Sequence, residues 1–433
     1  MSNIERETMR RVSVRLLPFL FVLYLLNFLD RSNVALAALQ MNRDLRFSSS
    51  AFGFGAGIFF AGYAIFEVPS NIALARIGAR RWIARIMISW GIIATAMMFV
   101  RTPMSFYVLR FFLGVAEAGF FPGIVWYLTQ WFPRERRARA SSRFFLALPM
   151  SGILGGTLGS YLLSLDGKSG LAGWQWLFLM EGIPSILFGV ACIWYLTDSP
   201  AKATWLSIAQ REWLVTRMEQ DVTAARTSHD MPALHALRIP AIWFLALPYF
   251  CMLTAGYAYT FWAPIVIRDA LHATDTRAAL VTASIAFCSM IFMLLHAHSS
   301  DRRHERFLHA AVSALLIAAG FAGAALIANP VLRVMFFGLV IVGSNSLLAP
   351  FWCLPSTILS GSAAAVGIAL INSLGNVGGF LGPYLIGIIK DMTGGTKGSF
   401  LVLAGFGLAC AIFLLVLRQT AFGISARQRV AAT

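Results

Sequence analysis

Charge is what this sequence has least of. Only 12% of its 433 residues are Asp, Glu, Lys or Arg, and the acidic ones number 19. Soluble domains carry about 25% charged residues, so a chain that is 58% hydrophobic with a mean hydropathy of +0.72 has lipid as its main solvent. Cysteine is scarce as well. Cys192, Cys251, Cys288, Cys353 and Cys410 are widely spaced with no C-x-x-C pair, which argues against a disulfide framework and a zinc site. There is no phosphate loop, no nucleophile-and-base arrangement and no appended signalling domain, so the sequence reads neither as an enzyme nor as a sensor, and it calls for no cofactor.

What it does have is long apolar runs. A helix of about 20 apolar residues spans the hydrocarbon core, and such runs fall near 15–38, 52–74, 83–100, 105–131, 144–165, 174–197, 240–267, 278–297, 309–328, 332–352, 365–389 and 399–418. They are too long for membrane strands and lack period-two alternation, leaving helices that satisfy their own backbone groups. The expected fold class is an all-α polytopic membrane protein of 12 transmembrane helices in two pseudo-symmetric six-helix halves. The basic start of the first run resembles a signal peptide, but Asp30-Arg31 lies in its outer part and no small-residue cleavage site follows, so it is read as retained.

The net charge of +16 raises the question of a nucleic-acid partner, and its distribution answers it. With the twelve runs alternating in direction, 24 of the 35 Lys and Arg fall on the side that holds both termini and 9 on the other, while Arg31 and Arg110 lie within spans. The positive-inside rule then places both termini of this multi-pass chain in the cytoplasm. The basic pI reports orientation and attraction to anionic lipid heads, with the bilayer and not nucleic acid as the partner.

The longest hydrophilic segment, Asp198 to Arg238, divides the runs into six and six. The expected organisation is a six-helix bundle at 1–197, a cytoplasmic linker at 198–239 with an amphipathic helix around 205–225, and a second bundle at 240–433. A weak internal repeat agrees: Arg76, Arg80 and Arg81 follow span 2, and Asp301 and Arg302 stand at the corresponding place after span 8. These five form a candidate gating loop pair. Duplicated halves around a midplane site are one general plan of secondary transporters.

Ionisable side chains at mid-bilayer are expensive unless paired or facing water, so each is a functional candidate. Here they are Asp30 and Arg31 in span 1, Glu67 in span 2, Arg110 and Glu117 in span 4, and Glu181 in span 6; spans 7–12 have essentially none. Arg110 and Glu117, seven residues apart, share a helix face, as do Tyr24, Asn27 and Arg31. Asp30, Arg31, Arg110 and Glu117 can therefore meet around one cavity, or else serve as structural ion pairs. Two guanidinium groups that grip a carboxylate bidentately suit an anion, and the carboxylates suit protons.

Other features carry less. Asn372 and Asn376 share a face of span 11 and can bond a ligand or tie helices together. Tyr249, Tyr257, Tyr259, Phe261 and Trp262 make span 7 aromatic-rich, as a lipid-interface belt or a cavity wall. Gly152, Gly155, Gly156 and Gly159 in span 5, and Gly375, Gly378, Gly379 and Gly382 in span 11, read as packing positions. The stretch His296, His298, Asp301, His304 and His309 is read as part of a basic loop and not as a metal site.

These residues resemble the anion:cation symporter family of the major facilitator superfamily. The likeness runs through Asn27-Phe28-Leu29-Asp30-Arg31-Ser32-Asn33, Glu67-Val68-Pro69-Ser70-Asn71 and Gly78-Ala79-Arg80-Arg81-Trp82. It continues through Arg110-Phe111-x-x-Gly114-x-x-Glu117-Ala118-Gly119-x-x-Pro122-Gly123, Gly256-Tyr257 to Trp262-x-Pro264, and Ala369-x-x-Asn372-Ser373-x-Gly375-Asn376-x-Gly378-Gly379. Ala75 stands where the superfamily's loop motif has an acidic residue, although Asp301-Arg302 keeps the pattern in the second copy. Within the family the motifs are most similar to permeases for tartrate, 4-hydroxyphenylacetate and phthalate-like acids, a pattern that sugar-acid carriers share.

The resemblance implies proton-driven uptake of a small organic anion, a carboxylate, by alternating access. It implies Asp30 and Glu117 as proton-coupling acids, and Arg31 and Arg110 as arginines that hold the substrate or pair with those acids. Tyr63 and Asn372 match substrate-contact positions; Asn376, Tyr24, Asn27 and Trp262 complete the expected substrate site. The chain is read as acting as a monomer, with an organic-anion exchanger or exporter of the same fold as the alternative.

Overall fold

The computed structural model describes residues 3–133, 136, 147–227, 240–303, 305–358 and 361–420. Among them the regular structure is helical, with no strand. The first group holds α1 (Asn3–Asp44), α2 (Ser49–Ile77), α3 (Ala79–Ala96), α4 (Pro103–Glu117), α5 (Phe120–Trp131), α6 (Ala147–Leu163) and α7 (Gly173–Tyr195). A linker helix, α8 (Ile208–Thr227), follows, and then α9 (Pro240–Leu271), α10 (Asp275–Arg302), α11 (Phe307–Leu326), α12 (Pro330–Ile358), α13 (Gly361–Thr393) and α14 (Lys397–Gln419). Ten segments, one of them α4 and α5 together, are long and apolar enough to cross a bilayer. With α6 and α13, which fall on the fifth and eleventh apolar runs, they make the twelve-helix fold expected from the sequence.

Local signals set several boundaries. The Ser48 hydroxyl accepts from the Ala51 N–H and caps α2. Thr102 and Ser105 form a capping box with Pro103 in the first turn of α4, and Thr274 caps α10. Each cap satisfies amide groups that a helix end leaves open.

One expected span is broken. The fourth run, read as continuous over 105–131, bends between Glu117 and Phe120, where Gly119 has φ +83°. A Cβ there would also stand 2.5 Å from the Ser70 hydroxyl oxygen on α2. Left-handed backbone and close approach both require glycine, and the break makes Glu117 the last residue of α4.

Within the first group α3 packs on α7 and α2 on α4; within the second, α9 packs on α13, and α11 on α12 and α14. The two groups meet chiefly through α2 against α13 and α6 against α10, with α1 beside α9. The glycines of spans 5 and 11 serve these contacts: a Cβ on Gly156 would stand 2.8 Å from the Ala279 carbonyl oxygen, and one on Gly378 2.7 Å from that of Phe250.

The end of the bundle away from the chain termini is closed by polar ties between the groups. Asp391 on α13 accepts from the Ser49 and Ser50 N–H groups at 3.0 and 2.7 Å, and Arg268 on α9 donates to the Leu39 carbonyl at 2.8 Å. Ser160 on α6 donates to the Thr276 carbonyl at 3.1 Å.

At the opposite end α8 lies against α1, where Arg11 bonds Gln210 and Arg15 lies over the Trp205 ring. The expected helix near 205–225 is thus α8, placed three residues later, and linker residues 228–239 lie outside the described residues, as do most of the basic loop at 134–143 and His304. His296 and His309 tie α10 to α11, the His296 ring bonding the His309 carbonyl and the Ser313 hydroxyl at 3.0 Å each.

Candidate functional site

The centre of the site is a guanidinium on α1. Arg31 donates from Nη2 to Glu117 Oε1 in an ion pair, and from Nη1 to the Tyr257 hydroxyl at 3.3 Å. Its guanidinium carbon lies 5.1 to 5.3 Å from the ring centroids of Phe28, Phe59 and Tyr63. Ring faces attract a cation and hold its plane. The Arg31 side chain keeps 11% exposure while Glu117 has 1%, so the guanidinium is the more accessible partner of the pair. Among the described residues Arg31 Nε has no partner, which leaves donor capacity for an incoming acid.

Backbone contacts aim Glu117. Gly62 on α2 faces the α4 backbone at Phe111, and Gly114 on α4 faces the α2 backbone at Phe59 and Tyr63. With no Cβ at either position the helices touch main chain to main chain, and the end of α4 is held beside α1. Tyr257 comes from α9, so the Arg31 cluster joins helices of both groups.

Arg110 occupies the same face of α4 but is differently engaged. Its Nε donates to the Gly55 carbonyl at 3.2 Å and its Nη2 to that of Ala56 at 3.0 Å, with the Phe59 ring 5.0 Å away. At 1% exposure it ties α4 to α2 behind Phe59. Asp30 accepts from Trp90 Nε1 at 2.7 Å and from the Ser185 hydroxyl. Of the four charges that the sequence brings together, Arg31 and Glu117 pair directly, Arg110 shares the Phe59 ring with Arg31 and lies within electrostatic range of both while bonding α2 carbonyls, and Asp30 lies within range of Glu117 while bonding Trp90 and Ser185.

The other candidates divide similarly. Tyr24 is buried on α1, edge-on to Phe28 with ring centroids 4.9 Å apart, and within electrostatic range of Arg31 and Glu117. Tyr63 borders Arg31 directly. Asn372 Nδ2 donates to Glu67 Oε1 at 3.4 Å across the α2–α13 interface, and Asn376 is buried one turn further along α13. Asn27 is buried with its Nδ2 unpartnered.

Trp262 lies toward the closed end, its Nε1 donating to the Pro383 carbonyl at 3.0 Å and its ring edge-on to Phe52. In the loops, Arg80 pairs with Asp198, just beyond α7, at 3.8 Å, while Arg76 and Arg81 are exposed. Asp301 pairs with Arg306, and Arg302 is exposed.

Two residues near Arg31 stand outside the expected proton and substrate sites. Glu67 was visible as an intramembrane carboxylate, and the structure places it within range of Tyr63 and Arg31. Tyr257 sits in an aromatic run with Tyr249 and Tyr259, and only packing separates them: Tyr249 stacks on Phe351 and Tyr259 lies against Phe337, while Tyr257 reaches Arg31.

A family profile described as Major Facilitator Superfamily matches residues 20–383. A protein of Agrobacterium vitis named "Putative tartrate transporter" is 45% identical over 97% of this chain and 96% of its own length. A "Quinolone resistance transporter" of Acinetobacter baumannii is 37% identical over 96% of this chain and 97% of its own. Among solved structures, a D-xylose-proton symporter superposes with a TM-score of 0.75 at 17% identity, covering 93% of this chain and 96% of that one. The chain therefore belongs to the Major Facilitator Superfamily, in the same branch as these bacterial relatives, and is a membrane transport protein and not an enzyme.

Proposed function

We propose that the chain takes up a small carboxylate together with protons across a bacterial inner membrane. The termini face the cytoplasm, and the helices of 1–197 and 240–433 rock about the site while the 198–239 linker tethers them. The observation that carries this reading is the Arg31–Glu117 ion pair under Tyr257, at the junction of the two helix groups.

An incoming carboxylate competes with Glu117 for Arg31. The guanidinium is always protonated and offers a planar fork that matches a carboxylate. Once displaced, Glu117 is a buried carboxylate without its cation, a state that costs several kcal/mol, and proton uptake relieves it. Anion binding at Arg31 and protonation of Glu117 thus favour each other, as coupled transport requires. Tyr63, Tyr257, Asn372 and Glu67 surround the place where the rest of the acid lies. The similarity to a protein named as a tartrate transporter supports a hydroxylated dicarboxylate as the first acid to try.

The test is uptake of labelled tartrate, aromatic acids and sugar acids into proteoliposomes, with and without an inward proton gradient. Accumulation of one acid that collapses with a protonophore supports symport. Gradient-independent exchange or outward movement supports the second reading, an exchanger or exporter, which the similarity to a protein named for quinolone resistance favours.

A further inference from the structure

Where α1 faces α3 and α7 lies a cluster of buried polar groups around Asp30 and Glu181. Asn27, Asp30 and Asn33 recur every three residues along α1 and form one stripe. Glu181 and Ser185, four apart, share a face of α7, which runs antiparallel to α1. The Ser185 hydroxyl bonds Asp30. Glu181, one turn nearer the closed end, therefore stands level with Asn33, about one helical pitch or roughly 5.4 Å along the bundle from Asp30.

All of these acids and amides are buried: Asp30 is 2% exposed, Asn33 3% and Glu181 3%. Their bonding is incomplete. Among the described residues the Glu181 carboxyl meets no donor but Asn33, and Asp30 Oδ1, Asn27 Nδ2 and the Thr95 hydroxyl of α3, which lies against Gly182, have no hydrogen-bond partner.

The charge is also unbalanced. Among the described residues no Lys or Arg pairs with Asp30 or Glu181; α3 contributes Trp90 and Thr95, α7 contributes Ser185, and the other carboxylate that acts on Asp30 is Glu117, itself held by Arg31. Two buried carboxylates without a cation cannot both be ionised at tolerable cost. A proton on either one supplies both the missing donor and the missing positive charge.

The geometry points to Asp30 and Glu181 as a second proton site, a carboxyl pair between α1, α3 and α7 that loads and releases one proton in each transport cycle. The inference rests on the symport reading above and deepens it: Glu181 joins Asp30 as a proton carrier, apart from the Arg31–Glu117 pair that meets the anion. Asp30 and Arg31 are neighbours on α1, and α1 touches α9 of the other helix group. Through that contact the rocking of the groups reaches the helix that carries Asp30.

The experiment compares wild type, Glu181→Gln and Glu181→Asp in proteoliposomes, reading acid accumulation under a one-unit inward pH gradient and acid counterflow without one. One proton per cycle supports about tenfold accumulation per pH unit, and Glu181→Gln is expected to lose that factor while still exchanging acid. Glu181→Asp, which keeps a carboxyl, is expected to retain it. Gln matches the shape of a protonated Glu, so a purely structural role would be met by Gln at least as well as by Asp.

Wild-type accumulation in Glu181→Gln, with wild type itself proton-driven, overturns this inference alone. Wild type that ignores the proton gradient, or responds to a sodium gradient instead, overturns the symport reading and this site with it. Should Glu181→Gln lose counterflow as well, Glu181→Asp decides: proton-driven accumulation in that variant supports the pair, and its loss overturns it.

Discussion

Asp391→Asn is the perturbation whose size follows most directly from the structure. The carboxylate accepts from two consecutive amides, Ser49 at 3.0 Å and Ser50 at 2.7 Å, at the start of α2. The bonds cross between the helix groups at the closed end, so they exist only while that end is shut. A hydrogen bond to a charged group is worth about 1.5–3 kcal/mol, and a negative charge at a helix N-terminus adds about 0.3–1 kcal/mol. Asn keeps one acceptor oxygen and loses the charge. Because Asp391 is exposed and screened by solvent, the net cost to the closed state is about 1–2 kcal/mol, a factor of roughly 5–30 in population. Spin labels at Arg43→Cys and Lys397→Cys, both exposed at that end, with Cys288 changed to Ser, give the distance across it by pulsed electron resonance. The substitution is expected to move a measurable fraction to longer distances. Identical distributions in the variant and its parent would refute the claim that these two bonds hold the end shut.

Other predictions concern the site and the break in the fourth span. Arg31→Lys removes the planar fork that reaches Glu117 and Tyr257 together, so anion affinity measured by calorimetry should fall by at least about 100-fold, the equivalent of roughly 2.7 kcal/mol. Glu117→Gln supplies a neutral partner for Arg31; accumulation under an inward proton gradient should fail while exchange continues, both read as labelled-acid uptake in proteoliposomes. Gly119→Ala puts a Cβ on a left-handed residue and into Ser70, which should lower thermal stability of the purified protein by several degrees, with a cost of about 1–3 kcal/mol.

The amino-acid sequence by itself determined that the chain is helical and crosses a bilayer about twelve times. Hydrophobic run length and loop charge are local quantities, and lipid leaves the backbone little choice but helix. It also picked out the intramembrane charges, because a charge in an apolar run is visible without knowing its partner. Which charges meet was decided by tertiary structure. Asp30 and Arg31 are adjacent in sequence and about a quarter-turn apart on α1, yet they meet different partners, one Trp90 and Ser185, the other Glu117 and Tyr257. Arg110 shares its helix face with Glu117, but the close approach of α2 offers it two carbonyl oxygens first. Tyr257 could not be told from its aromatic neighbours until α9 was laid beside α1. Helix periodicity fixes directions relative to one axis, whereas a site depends on how several axes are placed against each other, and here that placement is set by contacts such as Gly62 with Phe111 and Gly114 with Phe59.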